Sequence, residues 1–320
     1  MQILKIIILL FSLSTIASAN IVDTTSFRES NNYKKALDYY KNKTITKSSS
    51  YNYYQTACYY SLLEKHDSAF YNLTNAISLG AEGEDVLTDT DFNNLRTKTE
   101  EWHKIEIALK QQYLSRNPNI TKPELGYELW LMLVEDQRWR TLSRNYKLKE
   151  EPKGLTMDSQ YARVKRLEQI IKESGWPKYS EVGVGGGDAV FYVFQHHHIK
   201  NMKKVLPLFI EAGKQGEADL GKVAMMIDRF LANTEGVQIY GSQAHREYRQ
   251  GQNIKDIPIE IYPIADEENV RKRREALGMS DFDKNCERLG VKYVEIKDRS
   301  NYRSIPIKKG WIKKGYLLAK

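Results

Sequence analysis

Apolar residues recur at helical spacing along most of the chain, and the breaks in that pattern mark its elements. Between Asn52 and Gly80 the stretch NYYQTACYYSLLEKHDSAFYNLTNAISLG keeps apolar residues three and four apart, breaks at Lys65-His66-Asp67 and stops at Gly80, a residue suited to ending a helix. The pattern predicts a helix, a turn and a second helix. Polar residues from Arg116 to Lys122 interrupt it again, and further amphipathic stretches begin at Glu124. ELWLMLVEDQRWR puts Leu129, Met132 and Leu133 on one stripe, with Asp136 on the same stripe. MDSQYARVKRLEQIIKESGWP carries Val164, Leu167, Ile170 and Ile171, a cap at Asp158 or Ser159, and a stop at Gly175-Trp176-Pro177. In EADLGKVAMMIDRFLAN the stripe is Leu220, Val223, Ala224, Ile227 and Leu231, with Asp228 at its edge and Arg229 nearly opposite. ADEENVRKRREALGM sets acids before bases along a helix that Gly278 ends, an order that suits the helix dipole. Brief runs at 237–240, 257–264 and 291–296 read as short strands. The expected fold is mainly α, with a few short strands in the second half.

The first helical stretch also carries a spacing. Small residues at Ala57, Ala69 and Ala76, with Tyr60 and Leu73 between them, resemble tetratricopeptide-type helix pairs, which put small residues where helices cross. Upstream, NYKKALDYYKN places Ala36 thirty-three residues before Ala69, close to that repeat's period of about 34. DVLTDTDFNNLRTKTEEWHKI resembles a closing segment anchored by Leu87, Phe92, Leu95 and Trp102. The resemblance implies a concave face that holds a protein partner, or else helices that brace the next domain. The expected organisation is a leader over 1–19, tetratricopeptide-like helices over 20–118, a mostly helical domain over 119–290 and a basic tail over 291–320.

Charge and the N-terminus add an address. Lys5, the apolar run Ile6 to Leu13 and Ala17-Ser18-Ala19 form the pattern of a secretory signal peptide, and the run is too short to span a bilayer. The expectation is an exported, periplasmic or extracellular protein. Its two cysteines, Cys58 and Cys286, are too few for a disulfide framework and are expected to be free. From Val291 onward nine Lys or Arg face Glu295 and Asp298, which places nearly all of the net charge of +8 in the tail. Such a tail is a solvated strand, or a segment in weak contact with an anionic surface.

Candidate chemistry is confined to polar groups set among apolar ones. Half of the six histidines lie in FYVFQHHHIK, where helical spacing puts Val190, Val193, Phe194 and His197 on one face and turns Gln195 and His196 to other sides. Adjacent helical residues splay by about 100° each, so three neighbours cannot share one ion, and no metal site is expected. Gly185 to Gly187 read as a close-packed turn before that helix. They lack a Walker lysine and any nucleotide fingerprint; no cofactor is expected, and no nucleic-acid partner either. Asp136 on its apolar stripe needs a donor, as an ion pair or as an acid or base.

Read in order, Ser174-Gly175-Trp176-Pro177, Gln195-His196, Ile227-Asp228-Arg229, Gln238-Ile239-Tyr240-Gly241 and Val270-Arg271-Lys272-Arg273-Arg274 through Leu277-Gly278-Met279 resemble a family of uncharacterised bacterial domains found behind tetratricopeptide-like helices in exported proteins. The resemblance spans Glu124 to Met279 and includes Asp136-Gln137, while Gly185 to Gly187, His197 and His198 depart from it. No reaction, fold or ligand comes with the family. Three readings follow. In the first, the chain is a binding module with ligand contacts at Asp136, Gln195, His196, Gln238 and Arg274. In the second, it is a hydrolase or transferase with His196 as base, Asp136 or Asp228 orienting it, and Arg229 with Tyr240 stabilising developing negative charge. In the third, these groups bond to one another and fix the packing.

Overall fold

The computed structural model describes residues 4–8, 32–145, 157–248, 252–253, 256–300 and 302–318. The expected leader therefore lies outside the described residues apart from Leu4–Ile8. The chain is mainly helical and divides into two compact units, Ser14–Glu151 and a second made of Pro152–Lys320 with Met1–Leu13.

In the first unit the helices are α1 (Tyr33–Thr46), α2 (Ser50–Leu62), α3 (His66–Ser78), α4 (Gly83–Thr88), α5 (Thr99–Arg116) and α6 (Pro123–Asn145). The Ser49 hydroxyl caps α2 by accepting from the Asn52 amide at 3.2 Å. Glu64, with φ of 57°, and Gly80, with φ of 94°, turn the chain after α2 and α3. Ala57, Ala69 and Leu73 are fully buried and share one core with Phe92, Leu95, Trp102, Ile105 and Leu109. Small side chains at the crossing let α2 and α3 approach, and the bulky residues of α5 and its preceding turns fill the space below. Arg96 fastens those turns by donating to the carbonyls of Val86, Leu87 and Asp89. α6 is anchored by Trp130, whose indole donates to Glu84 at 2.8 Å and whose ring lies where a Cβ on Gly83 would stand. Cys58 and Cys286 are both buried and unbridged.

The second unit contains α7 (Met157–Ser174), α8 (Tyr179–Gln195), α9 (Ile199–Lys214), α10 (Leu220–Glu235), α11 (Val270–Ala276), α12 (Phe282–Leu289) and α13 (Lys309–Lys313). Its sheet runs antiparallel in the order β1 (Leu4–Ile8), β2 (Ala244–Tyr248) and β3 (Glu260–Ile261), with Leu4 opposite Tyr248 and Ala244 opposite Ile261. Trp176 stacks on Phe209 at 4.3 Å, and Phe191, Phe194, Ile227 and Leu231 are buried beside α9 and α10. No helix among the described residues is long and apolar enough to cross a membrane.

The structure departs from several of these expectations. The triple glycine is not a turn ahead of a helix: it lies inside α8, whose break falls at Gly183 with φ of 75°. A Cβ at Gly187 would come within 2.6 Å of the Tyr179 ring, so the glycine leaves room for that ring. Gln195 is not turned away from the core but is buried. Residues 291–296 form no strand, and 237–240 contribute one isolated bridge between Gln238 and Ile264. Nor is the tail a solvated strand. Trp311 and Tyr316 are buried, the Trp311 indole donates to Glu235 at 2.9 Å, and a bridge joins Ala265 to Ile305. Its aromatic residues dock it, while Lys309, Lys313 and Lys314 remain exposed.

Candidate functional site

Between α10 and β2 the chain runs through buried, irregular backbone from Val237 to Gln243. Backbone polar groups buried outside a helix or sheet must find other partners, and here side chains supply them. Asp228, with no exposed surface, accepts from the amides of Ile239 (2.8 Å) and Tyr240 (2.9 Å) at one oxygen, and from the Ser242 amide (2.9 Å) and hydroxyl (2.8 Å) at the other. The carbonyls are held from the opposite side. Arg273 donates to Ile239 at 2.9 Å, Arg274 to Tyr240 at 2.7 Å and Asn285 to Gly241 at 2.9 Å. Gln238 closes the loop on itself, accepting from the Gln243 amide at 2.8 Å and donating to the Gln243 and Tyr262 carbonyls at 2.9 Å. Gly241 has φ of 67°, and a Cβ there would meet the Phe282 ring at 2.5 Å, so both backbone and space call for glycine.

Burial pushes the Asp228 carboxyl above the usual carboxylate range, and the four donated hydrogen bonds pull against it. Because every partner donates, the loop is built around the ionised form. Tyr240 is committed as well: its hydroxyl donates to the Tyr316 carbonyl at 2.9 Å and accepts from the Leu318 amide at 2.7 Å, tying the tail to the loop. Asp228 and Tyr240 thus hold backbone, and neither offers a substrate a free polar atom.

Beside the loop lies a cavity of about 290 Å³, lined by α8, α10, the 242 position, α11 with Leu277 to Ser280, and α12. Phe191, Met225, Leu277 and Met279 make its apolar wall, and Lys222, Arg274 and Arg288 border it with Asp219. Asp188 accepts from Lys222 at 2.8 Å and from the Tyr179 hydroxyl at 2.6 Å. Burial alone would lower the Lys222 ammonium, but the Asp188 carboxylate holds it above its ordinary value. Burial pushes the Arg274 and Arg288 guanidinium groups down; both stay charged at neutral pH.

Of the expected site residues, the structure gathers Asp228, Gln238, Tyr240 and Arg274 around one loop. Asp136 lies on α6 in the first unit, where it is buried and accepts from Gln137 at 3.2 Å. Gln195 and His196 end α8, with His196 half-buried at the C-cap. Arg229 is half-buried, close enough to Tyr262 for its charge to oppose the rise that burial imposes on that phenol. Lys222, Arg288 and Asn285 escaped sequence reasoning. The one available signal was that Asn285 and Arg288 share a helix face one turn apart, just past the motif segment.

Residues 123–295 match the model of a family of unknown function, DUF6624. The chain belongs to that family. The DUF6624 segment takes in α6 as well as α7 to α12, and so contains both the loop and the cavity. No curated protein and no solved structure matches the chain.

Proposed function

We propose that this chain is an exported binding module, in which tetratricopeptide-like helices of the first unit hold a protein segment and the DUF6624 cavity holds a small ligand. One observation carries the reading: segments far apart in sequence, the start of α10, Ser242, and Arg274 to Arg288, meet as the walls of a single cavity. A frame of buried polar bonds keeps those walls in register, which is what a preformed site requires. Support for the repeat half comes from a groove of about 440 Å³ among α1, α2 and α3, bordered by Lys41, Ile45, Tyr53, Tyr60, Asp67 and Tyr71. Export rests on the pattern of residues 1–19. The hydrolase or transferase alternative is weakened because Asp228 and Tyr240 are already occupied by backbone.

The test is a thermal-shift screen of small polar compounds on the full-length chain and on Met225→Trp, which fills the cavity. The reading predicts compounds that raise the midpoint of the wild type and lose that effect in Met225→Trp. A screen in which no stabilising compound depends on Met225 contradicts it.

A further inference from the structure

Of the three cations around the DUF6624 cavity, Lys222 is paired with Asp188, while Arg274 and Arg288 bond to neutral groups. Arg274 is 2% exposed, and its donors reach neutral oxygens: the Tyr240 carbonyl at 2.7 Å, the Ser280 carbonyl at 2.9 Å and the Ser280 hydroxyl at 3.1 Å. A guanidinium carries five N–H groups, so two of them are left over. Arg288 donates to the side-chain oxygen of Asn285 at 2.9 Å. Among the described residues no carboxylate lies within ion-pair distance of either arginine. Burial weighs most against the Arg274 charge, the Asp228 carboxylate favours it, and the nearness of Arg288 opposes it to a lesser degree.

Like charges brought together out of water are unfavourable unless something neutralises them. Asp228 offsets more of the Arg274 charge than Arg288 opposes, and Asp219 lines the cavity, but neither acid is in ion-pair contact with the two arginines. Asp228 sits behind the loop with both oxygens bonded to donors, and Asp219 caps α10 by accepting from the Lys222 amide at 2.7 Å. Lys222 brings a third cation, held in place by Asp188 and backed by Tyr179. The lining also has an apolar part, formed by Phe191, Met225, Leu277 and Met279.

Resting on the reading of the cavity as a ligand site, we infer that it takes a small organic anion: a carboxylate or phosphate head held by Arg274, Arg288 and Lys222, with a short apolar body against Phe191, Met225 and Met279. Arginine forks suit both heads, since each offers paired oxygens to parallel N–H donors. The anion would give the two arginines the direct ion pair that they do not make with a carboxylate of the described residues.

The experiment is calorimetric titration of the full-length chain with hexanoate, hexyl phosphate and 1-hexanol at fixed ionic strength. Hexanoate or hexyl phosphate is expected to bind while 1-hexanol is not, and the tighter of the two identifies the head. Arg288→Ala is expected to weaken that binding about tenfold or more, the loss of one charged hydrogen bond. Arg288 is half-buried and bonded to a neutral side chain, so the variant is expected to keep the wild-type unfolding curve. Equal anion affinity in wild type and Arg288→Ala overturns the inference, as does the absence of binding by both anions. Binding of 1-hexanol that Met225→Trp abolishes, with neither anion bound, overturns the anion and leaves the ligand site standing. No binding by any probe, together with a screen insensitive to Met225→Trp, removes both.

Discussion

In the first unit the core is mainly apolar: Ala57, Ala69, Leu73, Phe92 and Leu95 are wholly buried, the buried polar groups among them, such as Ser61 and Thr56, are small hydroxyls, and latches such as Arg96 sit at the margins. In the second unit Asp228, Gln238, Arg273 and Arg274 are buried as deeply as the phenylalanines beside them. The difference follows from what each must hold. Helices satisfy their own backbone, so packing them needs shape and apolar surface. A buried loop satisfies none of its own, so it needs side chains chosen atom by atom. The first kind of core tolerates adjustment, whereas the second fails when one partner is removed.

That contrast can be broken by substitution. Asp228→Ala strips the acceptor from three loop amides and a hydroxyl, and at about 1 kcal/mol or more for each orphaned group the expected loss is on the order of 4 kcal/mol, read from urea unfolding. Leu73→Ala in the apolar core is expected to cost about 2–5 kcal/mol through transfer and cavity terms. Its helix neighbour Tyr71, 66% exposed on the groove, is expected to change stability by less than about 0.5 kcal/mol when replaced by Ala. If Tyr71→Ala cost as much as Leu73→Ala, the groove would be part of the packing and not a surface held open.

Smaller effects concern the tail. Tyr240→Phe removes the bonds to Tyr316 and Leu318, with an expected loss of about 1–2 kcal/mol and faster proteolytic cleavage beyond residue 302. The smallest effect is one of pH. Burial would raise the Glu235 carboxyl, but hydrogen bonds from Lys308 and Trp311 and the charges of Lys308 and Lys314 carry it below its ordinary value. A carboxyl with a folded value below its unfolded one adds stability above the unfolded value and loses it as pH falls through the folded one. Tail cleavage is therefore expected to quicken as pH drops from about 5 to about 3. Glu235→Gln is expected to flatten that dependence, by a modest amount because the site is open to solvent.

The helices were legible because a 3.6-residue period is a local signal: the α2 and α3 pair, its break near Glu64 and its end at Gly80 all stand in the sequence. The loop frame was half legible. Asp228, Gln238, Tyr240 and Arg274 stood out as polar groups in apolar surroundings, but their partners lie up to 78 residues away, as Leu318 does from Tyr240, and no short-range pattern records that. Lys222 looked like any surface lysine until α8 placed Asp188 beside it. The triple glycine misled because glycine reads locally as a turn, while here it makes room for a ring eight residues earlier. The docked tail was hidden for a similar reason. Its charge dominated the reading, and what fixes it is Trp311 and Tyr316 against α10 and the loop.

In the second unit the buried polar residues form a frame centred on Asp228, and the half-buried Arg288 stands outside it. The direct test is urea unfolding of Asp228→Asn and Arg288→Ala side by side with the wild type. A loss of about 2 kcal/mol or more is expected for Asp228→Asn, and a change within about 0.5 kcal/mol for Arg288→Ala. Equal losses in the two, or an Asp228→Asn as stable as the wild type, would contradict this division.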